Sequence, residues 1–142
     1  MIAPDVNVLL YAFREDSERH SEYHAWLQDA LNGRETVALF EPVLSAVLRI
    51  ATHPGIFKPP SPRKRVEMFV NTCLAAPAAV AVRADADHWA IFRDLCKKAD
   101  CRGNPIQDAY LAAMALENNC TYVTTDRDYA RFPRLRWRHP LD

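Results

Sequence analysis

A chain of 142 residues, 49% hydrophobic and 25% charged, is long enough to bury one core without a disulfide or structural metal to hold it. Eighteen basic side chains balance eighteen acidic ones, so a protein that grips nucleic acid over its whole surface is excluded and any such binding is local. The apolar runs, such as Ala75 to Val82, are far too short to span a bilayer, and Met1 leads into a Pro-Asp turn with no signal-peptide pattern, so a cytoplasmic protein without membrane contact is expected.

In chain order, Met1 to Asp5 reads as a short strand, followed by helices over Val8 to Phe13 and His20 to Leu31. The second of these carries Tyr23, Trp26, Leu27 and Ala30 at helical spacing and stops at Gly33. Val37 to Phe40 suits a buried strand, and Pro42 sits where a first helical turn tolerates it, opening a helix over Val43 to Thr52 that His53-Pro54-Gly55 closes. Ser61 and Pro62 read as N-cap and first residue of a helix to Leu74. Ala79 to Val82 is the next strand, and Asp85 begins a helix bearing Trp89, Phe92, Leu95 and Cys96.

Asn104, Pro105 and Gln107 have the spacing of a capping box for a helix over Ile106 to Leu116, and Thr121 to Thr124 is a strand. Near the end, Arg134, Arg136 and Arg138 alternate with Leu135 and Trp137, as in a strand with guanidiniums on one face. With no repeat or linker, the alternation of strands and helices predicts one α/β domain over residues 1–142. Its central sheet of four or five mostly parallel strands lies between helical layers.

Sites in such sheets form beyond the carboxyl ends of the strands, where strand order reverses. Asp5 ends the first strand, Asp126 and Asp128 follow the strand Thr121 to Thr124, and Asp108 lies in the first turn of the preceding helix. Taken singly, Asp5 fits a turn, Asp108 a helix-dipole partner and Asp126 an N-cap. Gathered together, the carboxylates would repel unless a cation compensated, and oxygen-only ligands favour Mg²⁺ or Mn²⁺. That chemistry suits phosphodiester hydrolysis.

Four segments carry a resemblance: Pro4-Asp5-Val6-Asn7-Val8-Leu9-Leu10, Val47-Leu48-Arg49-Ile50-Ala51-Thr52-His53-Pro54, Asn104 to Ala113, and Thr124-Thr125-Asp126-Arg127-Asp128-Tyr129. In this order and spacing the chain resembles the PIN-domain ribonucleases, in particular the VapC toxins of bacterial toxin–antitoxin systems. The resemblance implies a three-layer PIN-like fold in which Asp5, Asp108 and Asp126 hold the metal. Asp128 would orient water, and Asn7 and Thr124 would support the acids. It further implies RNA as substrate, a homodimer and a VapB-type antitoxin. The family's helix after the second strand carries a glutamate where this chain has Ala46, beside Ser45; Glu41, five residues earlier and about 7.5 Å along a helix axis, is the candidate substitute acid.

Arg49, Arg102, Arg127 and Arg131 are the candidate RNA contacts, with Lys97, Lys98 and Arg134 to Arg138 adding charge nearby. His20 and His24 share a helix face without a third metal ligand and read as exposed polar positions, while Trp26, Trp89, Trp137 and Phe92 read as core. Cys73, Cys96, Cys101 and Cys120 have no metal or disulfide spacing and read as buried or neutral thiols. Two other functions fit part of the pattern. A haloacid-dehalogenase-like phosphatase would need an acid where Asn7 stands. A catalytically weak PIN-fold RNA- or protein-binding module would follow from loss of the glutamate.

Overall fold

The computed structural model describes residues Met1–Asp142. The chain runs β1 (Ile2–Pro4), α1 (Val6–Phe13), α2 (His20–Leu31), β2 (Val37–Phe40), α3 (Glu41–Ala51), α4 (Arg63–Leu74), β3 (Ala79–Val82), α5 (His88–Lys98), α6 (Pro105–Glu117), β4 (Thr121–Val123), a 3-10 turn (Arg127–Arg131) and β5 (Trp137–Arg138). The five strands are all parallel, in the order β3-β2-β1-β4-β5. After β1 the chain builds outward through β2 and β3, then crosses back to place β4 on the other side of β1. The reversal therefore falls between β1 and β4.

Helices cover both faces, so β2 is buried along its whole length, as is expected of a parallel strand with hydrophobic layers above and below. Four alanines of α6, Ala109, Ala112, Ala113 and Ala115, are fully buried; their small side chains let its backbone approach the sheet. No helix is long and apolar enough to cross a membrane.

Pro4 sits in the middle strand of the sheet, where a missing N–H is normally costly. Ile2 N–H donates toward β2, to Thr36 O at 3.0 Å, and strand alternation turns the Pro4 nitrogen the same way. Pairing with β2 stops at Ile2↔Val37, so no ladder bond is lost there. Asp5 N–H, facing β4, donates to Val123 O at 2.8 Å and fixes where the acid leaves the sheet.

Several local expectations change. Asn104 is already helical and its side chain caps nothing, so the capping box does not form. Ser61 instead accepts from Arg14 at 3.0 Å, and α4 starts at Arg63 without a side-chain cap. The expected strand from Arg134 shrinks to Trp137–Arg138, because Leu135 is drawn into the core and Arg136 is held by the backbone and side-chain oxygens of Asn119 at 2.9 and 2.8 Å. Trp89 is 62% exposed, and Trp26, Trp137 and Phe92 pack only partly against the core. The rings of His20 and His24 bond Tyr11 O and Ala12 O through Nδ1 at 2.8 and 3.3 Å, satisfying carbonyls of the last turn of α1. All four cysteines are free; burial pushes the thiols of Cys73 and Cys120 up to about 11.

Candidate active site

At the carboxyl edge of β1 and β4, a cavity of about 210 Å³ is lined by Asp5, Asn7, Asp108 and Asp126, with Ala46 and Arg49 from α3, Gln107 and Leu111 from α6, and Tyr129. The strand order explains the gathering. Asp5 is the first residue beyond β1, Asp126 lies three beyond β4, and Asp108 projects from the opening turn of α6, which returns the chain to β4.

Asp5 is buried, and its carboxylate accepts three hydrogen bonds, which leaves acceptor capacity on Oδ2. Oδ1 accepts from Val6 N–H at 2.7 Å and from the Tyr122 hydroxyl at 2.8 Å, while Oδ2 accepts from the Thr124 hydroxyl at 2.6 Å. Burial raises its pKa from the ordinary range; the bonds from Thr124, Tyr122 and Val6 oppose this, and the nearby Asp126 charge adds to it. The Thr124 oxygen also accepts the Asp126 N–H at 3.0 Å, so one buried hydroxyl ties two acids together.

Asp108 is also raised, first by burial and then by the charges of Asp126 and Asp5, with Arg131 and the Tyr129 hydroxyl pulling the other way. The Tyr129 contact is long, 3.4 Å. Two carboxylates raised in part by neighbouring carboxylates describe a cup that a cation would relax. No three His, Cys, Asp or Glu side chains are already drawn together as a metal-holding set. Mg²⁺ suits such a place, because it binds through one or two carboxylates, keeps several waters and takes up substrate phosphate.

The remaining expected residues divide. Asn7 lines the cup at the start of α1. Asp128 does not line it: its N–H donates to Asp126 Oδ1 at 2.8 Å, and its carboxylate points out to Arg131 at 3.6 Å. Glu41 lies outside altogether. As the first residue of α3 it follows β2 beside β3, whose Val82 is in register with Phe40, and its carboxylate pairs with Arg83 over a separate hollow. The chain does not bend it back toward Asp5, so the α3 wall carries no acid.

Among the arginines, Arg49 lines the cup. Arg131 stays close enough to Asp108 to influence its charge, Arg127 is exposed beside Asp126, and Arg102 pairs with Asp100 at 3.4 Å away from the cavity. Lys98 is taken up by Asp94 at 2.9 Å.

Tyr122 and Tyr129 were missed as site residues. Their rings pack at 4.8 Å, and burial raises both phenols well above their usual range, so each keeps the proton it donates. Strand alternation held one clue: Tyr122 and Thr124 lie two apart and face the same side of β4.

A wholly parallel sheet sandwiched by helices, with carboxylates collected at its point of strand reversal, defines an α/β domain with an acidic site at the carboxyl edge. The model of the PIN domain matches residues 2–135, and the chain belongs to that family, within its VapC branch. It is 45% identical over 142 residues to Ribonuclease VapC43 of Mycobacterium tuberculosis, covering 100% of this chain and 97% of the relative. Ribonuclease VapC37 of the same organism is 38% identical over 136 residues, 96% of this chain and 94% of its own. In fold the chain is similar to VapBC2 from Rickettsia felis, solved bound to a fragment of promoter DNA, with a TM-score of 0.74, 18% identity and 98% of each chain covered.

Proposed function

We propose that this chain is the toxin of a VapBC-type toxin–antitoxin module, an endoribonuclease that hydrolyses RNA phosphodiester bonds with Mg²⁺ or Mn²⁺ held by Asp5, Asp108 and Asp126. The observation that carries the reading is the convergence of those carboxylates, which lie 121 positions apart at the extremes, on one cavity at the sheet's reversal point. Relatives named as VapC ribonucleases, matched over 100% and 96% of the chain, support it.

When bound, the divalent ion supplies a water activated for attack and neutralises charge on the phosphate. The protein's own groups prepare its seat. Tyr122 and Thr124 hold the Asp5 carboxylate in one orientation before any ligand arrives, so no reorganisation is needed at the moment of reaction. Thr124 also fixes the backbone of Asp126, whose Oδ1 in turn accepts from Asp128 N–H and leaves Oδ2 for the cup. Tyr129 performs a looser version of the same task for Asp108. Asn7 lines the cavity, where its amide would donate to a water or phosphate but could not serve as the acid–base residue that a phosphatase needs at that position.

The toxin would act as a homodimer and be neutralised by a VapB-type antitoxin; the likeness in fold to the VapBC2 toxin–antitoxin pair supports the antitoxin partner. A catalytically weak binding module is the second reading, favoured by the acid-free α3 wall. Purified protein, freed of antitoxin, should cut a mixed pool of tRNA and ribosomal RNA when Mg²⁺ or Mn²⁺ is present. Asp5→Asn and Asp108→Asn should each abolish cutting; cleavage that persists in both, or survives EDTA, rejects the proposal. Binding of the pool without any cutting would select the second reading.

A further inference from the structure

Three walls of the cup are acidic and the fourth is not. Asp5 comes from the β1–α1 junction, Asp108 from α6 and Asp126 from the exit of β4, whereas α3 offers Pro42, Ala46, Arg49 and Ile50. Arg49 is the one cationic side chain lining the cavity. It joins none of the ion pairs of the chain, although three carboxylates share its cavity. Arginines that serve the architecture look different here. Arg14 spends its donors on Asp16, Ser61 and Pro59 O, Arg83 pairs with Glu41, and Arg136 is fixed on Asn119.

An unspent guanidinium held more than ion-pair distance from the acids leaves a gap with negative charge on one side and positive on the other. A phosphodiester complements that gap once the acids hold a divalent ion, because its oxygens then meet a cation from each side. The root of Arg49 is rigid, since its helix neighbours Val47 and Ala51 are fully buried. The side chain itself is exposed, and its planar fork suits two oxygens of one phosphate better than a flexible ammonium does.

We propose, resting on the nuclease reading above, that Arg49 grips the phosphodiester being cut, from the face opposite the carboxylates, and counters the charge that grows on its oxygens in the transition state. Hydrolysis adds water across one P–O bond, leaving a phosphate on one fragment and a hydroxyl on the other. Arg49 itself neither takes nor gives a proton. The plain alternative is a cation in the last turn of α3 that answers the helix dipole, and that role would show in stability and not in turnover.

The test uses wild-type protein on a pool of tRNA and ribosomal RNA to find the fragment cut best, then measures kcat and KM on that RNA. Arg49→Ala should lower kcat by about 100-fold, equivalent to about 2.7 kcal/mol, with KM held within about threefold. Arg49→Lys should recover part of the rate, millimolar guanidinium should partly rescue Arg49→Ala, and the rise in melting temperature on adding Mg²⁺ should match wild type. Arg127→Ala, by contrast, should raise KM and flatten the salt dependence. Loss confined to KM, absence of guanidinium rescue, or loss of the Mg²⁺-induced shift in Arg49→Ala overturns the assignment. A wild type that cuts no RNA defeats the nuclease reading itself, whereas a wild type and an Arg49→Ala that cut equally well defeat only the role of Arg49.

Discussion

Thr124→Val keeps the shape of a fully buried side chain and deletes one oxygen that serves two acids. The lost bond to the Asp5 carboxylate is charge-assisted and buried, worth about 1.5 to 3 kcal/mol. The Asp126 N–H loses its acceptor too, at a cost near the lower end of about 1 to 3 kcal/mol because that residue is half exposed. A total of about 2 to 4 kcal/mol follows. At about 2.1 cal/mol/K per residue, the unfolding entropy of a chain this long is about 0.3 kcal/mol/K, so the melting temperature should fall by about 7 to 13 °C.

The deficit should depend on pH. The Thr124 bond is one of the influences that lower the Asp5 pKa against burial, so its loss raises that pKa further. The native variant then holds a proton over a wider range than the native wild type, and its stability falls more steeply as pH rises. Thermal melts from pH 4 to 8, run without metal, should show the gap between wild type and Thr124→Val narrowing toward acid. Thr124→Ser, which retains the hydroxyl, should lose only about 1 kcal/mol of methyl packing. Equal losses in the two variants, or a gap that widens in acid, would refute the claim that this hydroxyl organises the acids.

In metal-free protein, Asp108→Asn should be at least as stable as wild type at pH 7, because the raised Asp108 carboxyl makes the wild type lose stability as pH climbs through its folded pKa. Mg²⁺ at a hundred times its Kd should raise the wild-type melting temperature by about 9 °C, from about 2.7 kcal/mol of linkage, and Asp108→Asn less; equal shifts would remove Asp108 from the ion's seat. Glu41→Gln should leave both cleavage and the Mg²⁺ shift unchanged, since Glu41 is spent on Arg83; a tenfold loss of rate would return it to the site. Cys73 and Cys120, with thiols raised from 9.0 to about 11, keep their protons in the native state longer than in the unfolded one. Their contribution is therefore complete below pH 9 and lost toward pH 11, about 2 to 3 kcal/mol each, and urea titrations of Cys73→Ala should show a shallower alkaline decline than wild type.

Much of the architecture was legible because its signals are local. Val37 to Phe40 and Ala79 to Val82 are apolar runs of strand length, and the structure keeps both boundaries unchanged. Tyr23 and Leu27 recur at helical spacing on α2 and are both buried. Strands alternating with helices imply parallel pairing, and the reversal rule puts Asp5 and Asp126 at neighbouring strand ends, where the structure has both lining one cavity. The failures were also local signals, overridden by a competing partner. Ser61 had the chemistry of a cap and gave its oxygen to Arg14, and Asn104 had the spacing of a capping box without the backbone geometry for it.

The linear order of residues thus determined which acids exist, which ends of which strands they occupy, and that they must meet if β1 and β4 are neighbours. Only the folded chain decided their partners, because a hydrogen bond such as Tyr122 to Asp5 joins positions 117 apart and leaves no periodic trace. The same holds for direction. Glu41 and Arg49 lie on one helix, yet the register of β2 with β3 gives the first to Arg83 and leaves the second facing the cup, a choice made by three-dimensional packing and invisible to spacing along the sequence.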